Sequence, residues 1–129
     1  MNYQDLQPSE VAALRAEGEL TLFDTRDAAS FGMGHLEGAE PVSDAALGRL
    51  IQARQPQRPI LVYCYRGNSS RDVCKLIAGL GFSRVYNLAG GWQGWQRYIA
   101  TAPATASAPV LVDWLRQSGY PPYDSAQFP

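Results

Sequence analysis

The chain has 129 residues, of which 46% are hydrophobic and 18% charged, a composition typical of one folded domain and too apolar for a disordered chain. Eleven Lys and Arg residues against twelve Asp and Glu residues give a formal net charge of -1, and the cations are scattered, so we expect neither nucleic acid nor an acidic membrane as a partner. The longest apolar run, residues 60–65, is far shorter than the roughly 20 residues of a membrane-spanning helix.

Short apolar runs alternate with helical patterns along the first half of the chain. In chain order, the predicted elements are a helix over 10–17 with Ser9 as its cap and Gly18 as its end, a strand over 20–23, a helical turn over 28–31, a glycine-marked loop over 32–38 and a helix over 44–54. On the last of these helices, Leu47, Leu50 and Ile51 form the predicted apolar face.

The second half repeats the alternation. It predicts a strand over 60–63, a helix over 70–80, a strand over 84–87 and a helix over 92–99. The apolar stripe of the 70–80 helix is predicted at Val73, Leu76, Ile77 and Leu80. Strands separated by helical segments favour right-handed crossovers, so the sequence predicts an α/β fold with a parallel sheet and helices on both faces.

The C-terminal segment has a different composition. Residues 101–109 read as a low-complexity linker, and residues 110–129 as a C-terminal helix followed by a proline-containing tail. Trp114 and Leu115 on that helix have two interpretations: they pack on the same chain, or they dock a partner or a second copy. The remaining residues, 1–100, are predicted to form the folded domain.

The chain contains two cysteines, Cys64 and Cys74, and one histidine, His35. Two cysteines do not make a disulfide scaffold, and with a single histidine they do not complete a four-ligand zinc site without carboxylates. The N-terminal residues lack the basic region and apolar core of a secretory signal. We therefore expect no metal, reduced thiols and a cytoplasmic location.

Cys64 lies at a position in the predicted fold that favours the thiolate form of its side chain. It ends a predicted buried strand and directly precedes a helix N-terminus, whose free N–H groups and positive dipole end favour a thiolate. Arg66 adds a positive charge two residues later. Cysteines in such places have pKa values of about 3.5–7.5, so Cys64 is predicted to be reactive rather than a plain core residue.

The residues after Cys64 suit a curled loop. Gly67 and Asn68 are the residues best able to take left-handed conformations, which would turn several N–H groups inward. Ser69 and Asp72 match the spacing of a capping box, which predicts the start of the following helix.

At this loop the sequence resembles the rhodanese family of sulfurtransferases, especially its single-domain bacterial members. Four segments carry the resemblance: residues 24–26 match the family's D-x-R, residues 34–39 its G-H-[IL]-x-G-A, residues 64–69 its six-residue active-site loop and residues 85–92 its V-x-x-L-x-G-G-[WF]. Two positions depart from the family: Glu37 stands where proline is common, and Ser69 where many members carry arginine.

The resemblance implies a single domain with a five-stranded parallel sheet and a ping-pong sulfur transfer through a persulfide on Cys64. Thiosulfate or a similar small anion would donate the sulfur, and cyanide, a thiol or a protein cysteine would accept it, with no cofactor. The substrate and persulfide would be bound by the loop residues Tyr65, Arg66, Gly67, Asn68 and Ser69.

Several further residues have structural interpretations. Asp24 and Arg26 are expected to pair with each other or with backbone and to anchor loops, and His35 to be a hydrogen-bonded loop residue. Cys74, on the helix after the loop, is expected to be a small buried residue rather than a resolving thiol. Trp92, Trp95 and Tyr98 are expected to pack, and Gly90 and Gly91 to border the mouth of the site.

Three other functions use the same residues or the same fold. A persulfide carrier or sensor, loaded by a partner protein, needs the same cysteine loop. The resemblance implies that a phosphatase or arsenate reductase of the same fold uses a loop one residue longer, with arginine sixth after the cysteine. This chain has Ser70 at that position and Arg71 at the seventh. A non-catalytic binding module would not need Cys64 at all.

Overall fold

The computed structural model describes residues 2–101, which form one five-stranded parallel sheet flanked by helices. The strands are β1 (Gln4–Leu6), β2 (Thr21–Asp24), β3 (Ala39–Pro41), β4 (Ile60–Tyr63) and β5 (Val85–Leu88). The helices are α1 (Val11–Ala16), α2 (Ala28–Met33), α3 (Asp44–Ala53), α4 (Ser70–Gly79) and α5 (Gly91–Thr101). The strand order is β1-β5-β4-β2-β3, so the predicted fold class is confirmed.

The chain divides into two units, Met1–Ile99 and Ala100–Pro129. Thr101, predicted to open the linker, is the last residue of α5. The remainder of the predicted linker and the whole predicted C-terminal helix and tail lie outside the described residues. None of the helices within residues 2–101 is long and apolar enough to cross a membrane.

The three strands predicted from apolar runs are present, with ends shifted by one residue in β2 and β5. The two strands without an apolar run, β1 and β3, have three residues each and lie at the edges of the sheet. Edge strands make hydrogen bonds on one side only and are often short, so they need little apolar sequence.

Two apolar layers sandwich the sheet, because successive strand side chains point to opposite faces. One layer joins Phe23, Ile60, Val62 and Val85 of the strands to α3 and α4. The other joins Leu22, Leu61, Tyr63 and Leu88 to α1 and to Trp92 and Trp95 of α5, where the predicted packing of both tryptophans is confirmed. All four residues of β4 are buried, since this strand lies at the centre of the sheet.

The predicted stripe of α4 is partly wrong. The buried positions are Ser70, Cys74, Ile77 and Ala78, whereas Leu76 and Leu80 are 53% and 45% exposed. Cys74 and Ser70 are small, so the helix packs closely on the sheet along their side. This rotates the larger leucines away from the core. In α3, Ile51 is likewise exposed, and Ala46 with Leu50 supplies the buried face.

The N-terminal cap also differs from the prediction. A 3-10 turn, Pro8–Glu10, precedes α1, so Ser9 lies inside this turn and does not cap the helix. Instead, the Gln7 N–H donates to Glu10 Oε1 at 2.8 Å. Gly18 follows the helix with φ 127°, as a helix-ending glycine should.

Candidate active site

Cys64 is the first residue after the central strand β4, at the carboxyl edge of the sheet. Its side chain is buried, with 3% of the residue exposed. Its sulfur accepts hydrogen bonds from the Gly67 N–H at 3.0 Å and from the Ser70 hydroxyl at 3.2 Å. The loop therefore wraps donors around Sγ.

These donors control the ionisation of the Cys64 thiol. Burial by itself raises its pKa, but hydrogen bonds from the hydroxyls of Ser69 and Ser70, and from the backbone N–H groups of Ser70 and Gly67, lower it to about 7. Hydrogen bonds to the charged form of a group favour that form. The predicted thiolate-stabilising loop is thus present, and the pKa of Cys64 lies well below that of an ordinary thiol.

Gly67 adopts the left-handed conformation that the loop requires, with φ 92°. A Cβ at this position would lie 2.9 Å from the Gly90 nitrogen and 3.2 Å from the Leu88 oxygen, so only glycine fits the space. Asn68 was expected to share this conformation and does not: Arg54 is the one non-glycine residue with positive φ in the described part of the chain. One left-handed residue is enough to turn this loop.

The predicted capping box is wrong. Ser69 does occupy the position before α4, but its side chain makes no capping hydrogen bond. Its hydroxyl instead contributes to the lowered pKa of Cys64. The serine with the sequence pattern of a helix cap therefore acts on the sulfur.

The N-terminus of α5 packs against the cysteine loop and donates hydrogen bonds to its carbonyl groups. The Trp92 N–H donates to the Cys64 carbonyl at 2.8 Å, and the Gln93 N–H donates to the Tyr65 carbonyl at 2.9 Å. Gly91 makes this approach possible, because a Cβ there would lie 2.5 Å from the Cys64 oxygen and 2.7 Å from the Gly67 nitrogen. The predicted proximity of Gly90 and Gly91 to the site is confirmed.

Tyr65 and Arg66 form the exposed rim of the loop. The guanidinium carbon of Arg66 lies 5.8 Å from the centre of the Tyr65 ring, a cation–π distance. The groups that lower the pKa of Cys64 most are the hydroxyls of Ser69 and Ser70, so hydrogen bonds stabilise the thiolate. Arg66 carries its positive charge on this exposed rim.

Asp24 and Arg26 pair as predicted. Two guanidinium nitrogens of Arg26 contact the Asp24 carboxylate, the shortest at 2.7 Å, and a further bond of 2.6 Å reaches the Gly34 carbonyl. Arg26 also lies over the Trp92 ring at 4.7 Å. Burial raises the pKa of Asp24, but the bonds from Arg26 outweigh this and lower it. The pair ties the loop after β2 to α5.

His35 lies in the loop after α2. Its Nδ1 is 2.9 Å from the Phe31 carbonyl, and its ring stacks on Phe31 with centroids 3.9 Å apart. These contacts hold the loop rather than any reacting group, in agreement with the predicted hydrogen-bonded loop residue.

Cys74 is a residue of α4 and is fully buried in the core between this helix and the sheet. Burial raises the pKa of its thiol to about 12, with smaller contributions from Asp5 and Cys64. A thiol with this pKa is almost entirely protonated at neutral pH and is a poor nucleophile. The prediction of a small buried residue is confirmed.

Three residues near the sulfur were missed as parts of the site. Ser70 is the first residue of α4 and contacts Sγ, Asn87 is buried in β5 behind it, and Arg71 bonds the Gly67 carbonyl at 3.2 Å. One signal was available for Asn87: it is a polar residue at an inward-facing position of an otherwise apolar strand. Nothing in the loop pattern separated Ser70 from an ordinary helix residue.

Within residues 2–101, no group of three or more His, Cys, Asp or Glu side chains is placed to hold a metal ion. A shallow depression of about 540 Å³ lies near the opposite edge of the sheet, where it is lined by Glu19 and residues 55–59. None of these residues belongs to the cysteine loop.

Comparisons with known proteins agree with this geometry. Residues 7–98 match the family described as "Rhodanese-like domain". The chain is similar to a "Thiosulfate sulfurtransferase GlpE" from Ectopseudomonas mendocina, with 33% identity over 105 residues, covering 81% of this chain and 95% of that protein. It is also 36% identical, over 95 residues, to a protein of the same name from Tolumonas auensis, covering 71% of this chain and 90% of that one.

Solved structures show the same fold. The rhodanese-like domain of an Anabaena protein superposes with a TM-score of 0.59 and 25% identity, covering 72% of this chain and 73% of that chain. A Rhodopseudomonas palustris protein, described as of unknown function and a possible tyrosine phosphatase, superposes with a TM-score of 0.61, covering 78% of this chain and 83% of that one. At 20% identity, the second likeness concerns the fold alone. With the profile match over residues 7–98 and relatives above 30% identity along most of their length, the chain belongs to the rhodanese-like family.

Proposed function

We propose that this protein is a sulfurtransferase that takes a sulfane sulfur from thiosulfate and passes it on through a persulfide on Cys64. The observation that carries the proposal is the set of donors around Sγ, which lowers the pKa of Cys64 to about 7. The thiolate is the nucleophilic form of cysteine, so the loop supplies the attacking group at neutral pH without a separate base. The names of the curated relatives point to thiosulfate as the donor.

In the first half-reaction, the Cys64 thiolate attacks the outer sulfur of thiosulfate. A new S–S bond forms to Sγ, the bond between the two sulfurs of thiosulfate breaks, and sulfite leaves with the bonding electron pair. The product is a Cys64 persulfide with its negative charge on the outer sulfur. Arg66 at the entrance attracts the doubly charged donor, and inward N–H groups hold the persulfide anion.

In the second half-reaction, a nucleophilic acceptor attacks the outer sulfur. The S–S bond breaks, and Sγ leaves as a thiolate, which regenerates the starting enzyme. With cyanide as the acceptor the product is thiocyanate; with a thiol, including a protein cysteine, it is a persulfide. The open rim at Tyr65 and Arg66 leaves room for either kind of acceptor.

The loop geometry argues against phosphatase or arsenate reductase chemistry. The sixth residue after Cys64 is Ser70, which already starts α4 and contacts Sγ. Arg71 does not turn into the loop: its guanidinium bonds the Gly67 carbonyl and the Tyr3 hydroxyl and pairs with Asp5. Arg71 is thus not placed to hold a tetrahedral oxyanion over the sulfur.

Steady-state thiocyanate formation tests the proposal, with thiosulfate and cyanide each varied against the other. A ping-pong enzyme gives parallel double-reciprocal lines. Cys64→Ser should abolish turnover, and Cys74→Ser, the matched control, should keep most of it. A folded Cys64→Ser protein that still turns over thiosulfate would overturn the proposal. If the protein does not turn over thiosulfate but is loaded by a persulfide-bearing protein, the function is that of a sulfur carrier.

A further inference from the structure

Asn87 connects the cysteine loop to the sheet from the middle of β5. Its side chain is fully buried and has three partners: Nδ2 donates to the Gly67 carbonyl and to Asp5 Oδ1, both at 3.1 Å, and Oδ1 faces the Ser70 hydroxyl. A carbonyl and a carboxylate accept hydrogen bonds and do not donate them. The amide of Asn87 is therefore oriented with its oxygen toward Ser70.

The Ser70 hydroxyl stands between two acceptors. Its oxygen is 3.2 Å from Cys64 Sγ and at short hydrogen-bond distance from Asn87 Oδ1, and Ser70 is itself fully buried. A serine hydroxyl carries one proton, so it donates to only one of these two acceptors at a time. Because no water-exposed surface is available to Ser70, the two acceptors compete directly.

The charge on the sulfur decides this competition. A thiolate is an ionised acceptor and makes a stronger hydrogen bond than a neutral amide oxygen. A protonated thiol, or the inner sulfur of a persulfide, carries no full charge and is a weak acceptor. The hydroxyl then returns to Asn87 Oδ1.

We propose that Ser70 and Asn87 are positioning residues that form a two-position hydroxyl switch, in which Ser70 donates to Cys64 Sγ when that sulfur is a thiolate and to Asn87 Oδ1 when it is a thiol or part of a persulfide. The proton stays on Ser70 Oγ throughout, and only the direction of the O–H bond changes. The persulfide half of this inference rests on the proposed function. The thiol–thiolate half does not.

The switch has a consequence for sulfur transfer. When an acceptor attacks the outer sulfur, negative charge develops on Sγ as it leaves, and the Ser70 hydroxyl can swing from Asn87 to meet it. Removing the hydroxyl should therefore slow the release of sulfur to the acceptor. Removing the competing amide oxygen should instead leave the hydroxyl free to serve the thiolate.

The surrounding groups keep the network in place when Asn87 is changed. Arg71 from α4 bonds the Gly67 carbonyl and pairs with Asp5 of β1 at 3.6 Å, so both partners of Asn87 Nδ2 keep a donor. Arg66 lies on the rim, and Cys74 and Tyr3 are the titratable groups packed in the apolar layer on the α4 side of the sheet. Leucine has nearly the shape of asparagine and no hydrogen-bonding atoms, which makes Asn87→Leu the cleanest removal of the amide.

The test measures the pH dependence of Cys64 alkylation by iodoacetamide, in a Cys74→Ser background so that one thiol reacts. Four proteins are compared: the background itself, Ser70→Ala, Asn87→Leu and the double variant. Ser70→Ala should raise the pKa of Cys64 by about one unit, which lowers the thiolate fraction at pH 7 about fivefold. Asn87→Leu should lower it by a few tenths of a unit or more, and should have no effect once Ser70 is alanine.

A shift from Asn87→Leu that is equally large in the Ser70→Ala background would overturn the inference, because Asn87 would then act through Gly67 alone. An unchanged or raised pKa in Asn87→Leu would also overturn it. If Asn87→Leu does not fold, Asn87→Ala is measured in the same four-protein comparison. Alkylation needs no sulfur donor, so it reads the switch even if thiosulfate is not the substrate.

A second measurement tests the part of the proposal that concerns the persulfide. In single-turnover reactions of preloaded protein with cyanide, Ser70→Ala should slow sulfur release about tenfold. An unchanged release rate, with the alkylation results as expected, would confine the switch to the thiol and thiolate. Failure to load any sulfur, with the alkylation coupling intact, would count against the proposed function and not against the switch.

Discussion

Replacing Gly91 by alanine should damage both the stability of the fold and the reactivity of Cys64. An added Cβ would lie 2.5 Å from the Cys64 oxygen, 2.7 Å from the Gly67 nitrogen and 2.7 Å from the Tyr65 carbonyl carbon. All three are backbone atoms of the cysteine loop, so none can move aside as a flexible side chain would. Gly91 also has φ 59°, a left-handed conformation that costs an alanine about 1–2 kcal/mol.

The two costs add. Overpacking against rigid neighbours costs about 1–3 kcal/mol, so Gly91→Ala should lose roughly 2–5 kcal/mol of unfolding free energy. For a domain of this size that corresponds to a fall in melting temperature of roughly 10 °C or more. Displacing the Gly67 N–H from Sγ should at the same time raise the pKa of Cys64.

Gly48→Ala is the matched control. Gly48 lies in the middle of α3, and a Cβ there would meet nothing within 4 Å, so alanine should stabilise the helix by about 0.5–1 kcal/mol. Urea unfolding and the pH dependence of iodoacetamide alkylation would be measured for both variants. A Gly91→Ala protein with the stability of the parent and an unchanged pKa of Cys64 would refute the close approach of α5 to the loop.

Three further predictions follow from the same contacts. The pKa of Cys64 is about 7 in the folded protein against an ordinary 9.0, so the folded state binds fewer protons than the unfolded state between these pH values. The unfolding free energy of the parent relative to Cys64→Ala should therefore rise by about 2–3 kcal/mol from pH 7 to pH 9 and stay level below pH 7. A difference in unfolding free energy that does not change with pH in urea melts would contradict the lowered pKa. Arg26→Ala should cost about 3–5 kcal/mol, since it leaves the buried Asp24 carboxylate without its partner; a loss below 1 kcal/mol in the same melts would show that the pair is dispensable. Arg66→Ala should reduce kcat/KM for thiosulfate severalfold at low salt. Because the side chain is exposed and salt screens its charge, the difference from the parent should disappear at high salt. Equal kcat/KM values at low ionic strength would exclude the proposed attraction of the donor.

The central strands and the cysteine loop could be predicted from sequence because local signals determine them. Residues 60–63 form one continuous apolar run, and a buried strand needs little else. Cys64 lies between that strand and a strongly patterned helix, so its place at the carboxyl edge of the sheet followed from the order of the elements. Gly67 was predicted to turn the loop for the same local reason, its tolerance of positive φ.

The parts that were missed depend on distant neighbours. The apolar stripe of α4 was predicted at the wrong positions, because the small residues Cys74 and Ser70 pack against the sheet and Leu76 is exposed. Ser69 has the pattern of a helix cap, but the sulfur beside it is a competing acceptor that no local pattern reveals. Asn87 lies 23 residues from Cys64 along the chain, and only the pairing of β4 with β5 brings it beneath the loop.

The most direct measurement of the central claim is the intact mass of the protein after incubation with thiosulfate and removal of the excess. A Cys64 persulfide adds one sulfur, roughly 32 Da, and brief treatment with cyanide should remove it as thiocyanate. Cys74→Ser should gain the same mass, and Cys64→Ser should gain none. An unmodified parent protein, or an adduct that persists in a folded Cys64→Ser protein, would contradict sulfur transfer through Cys64.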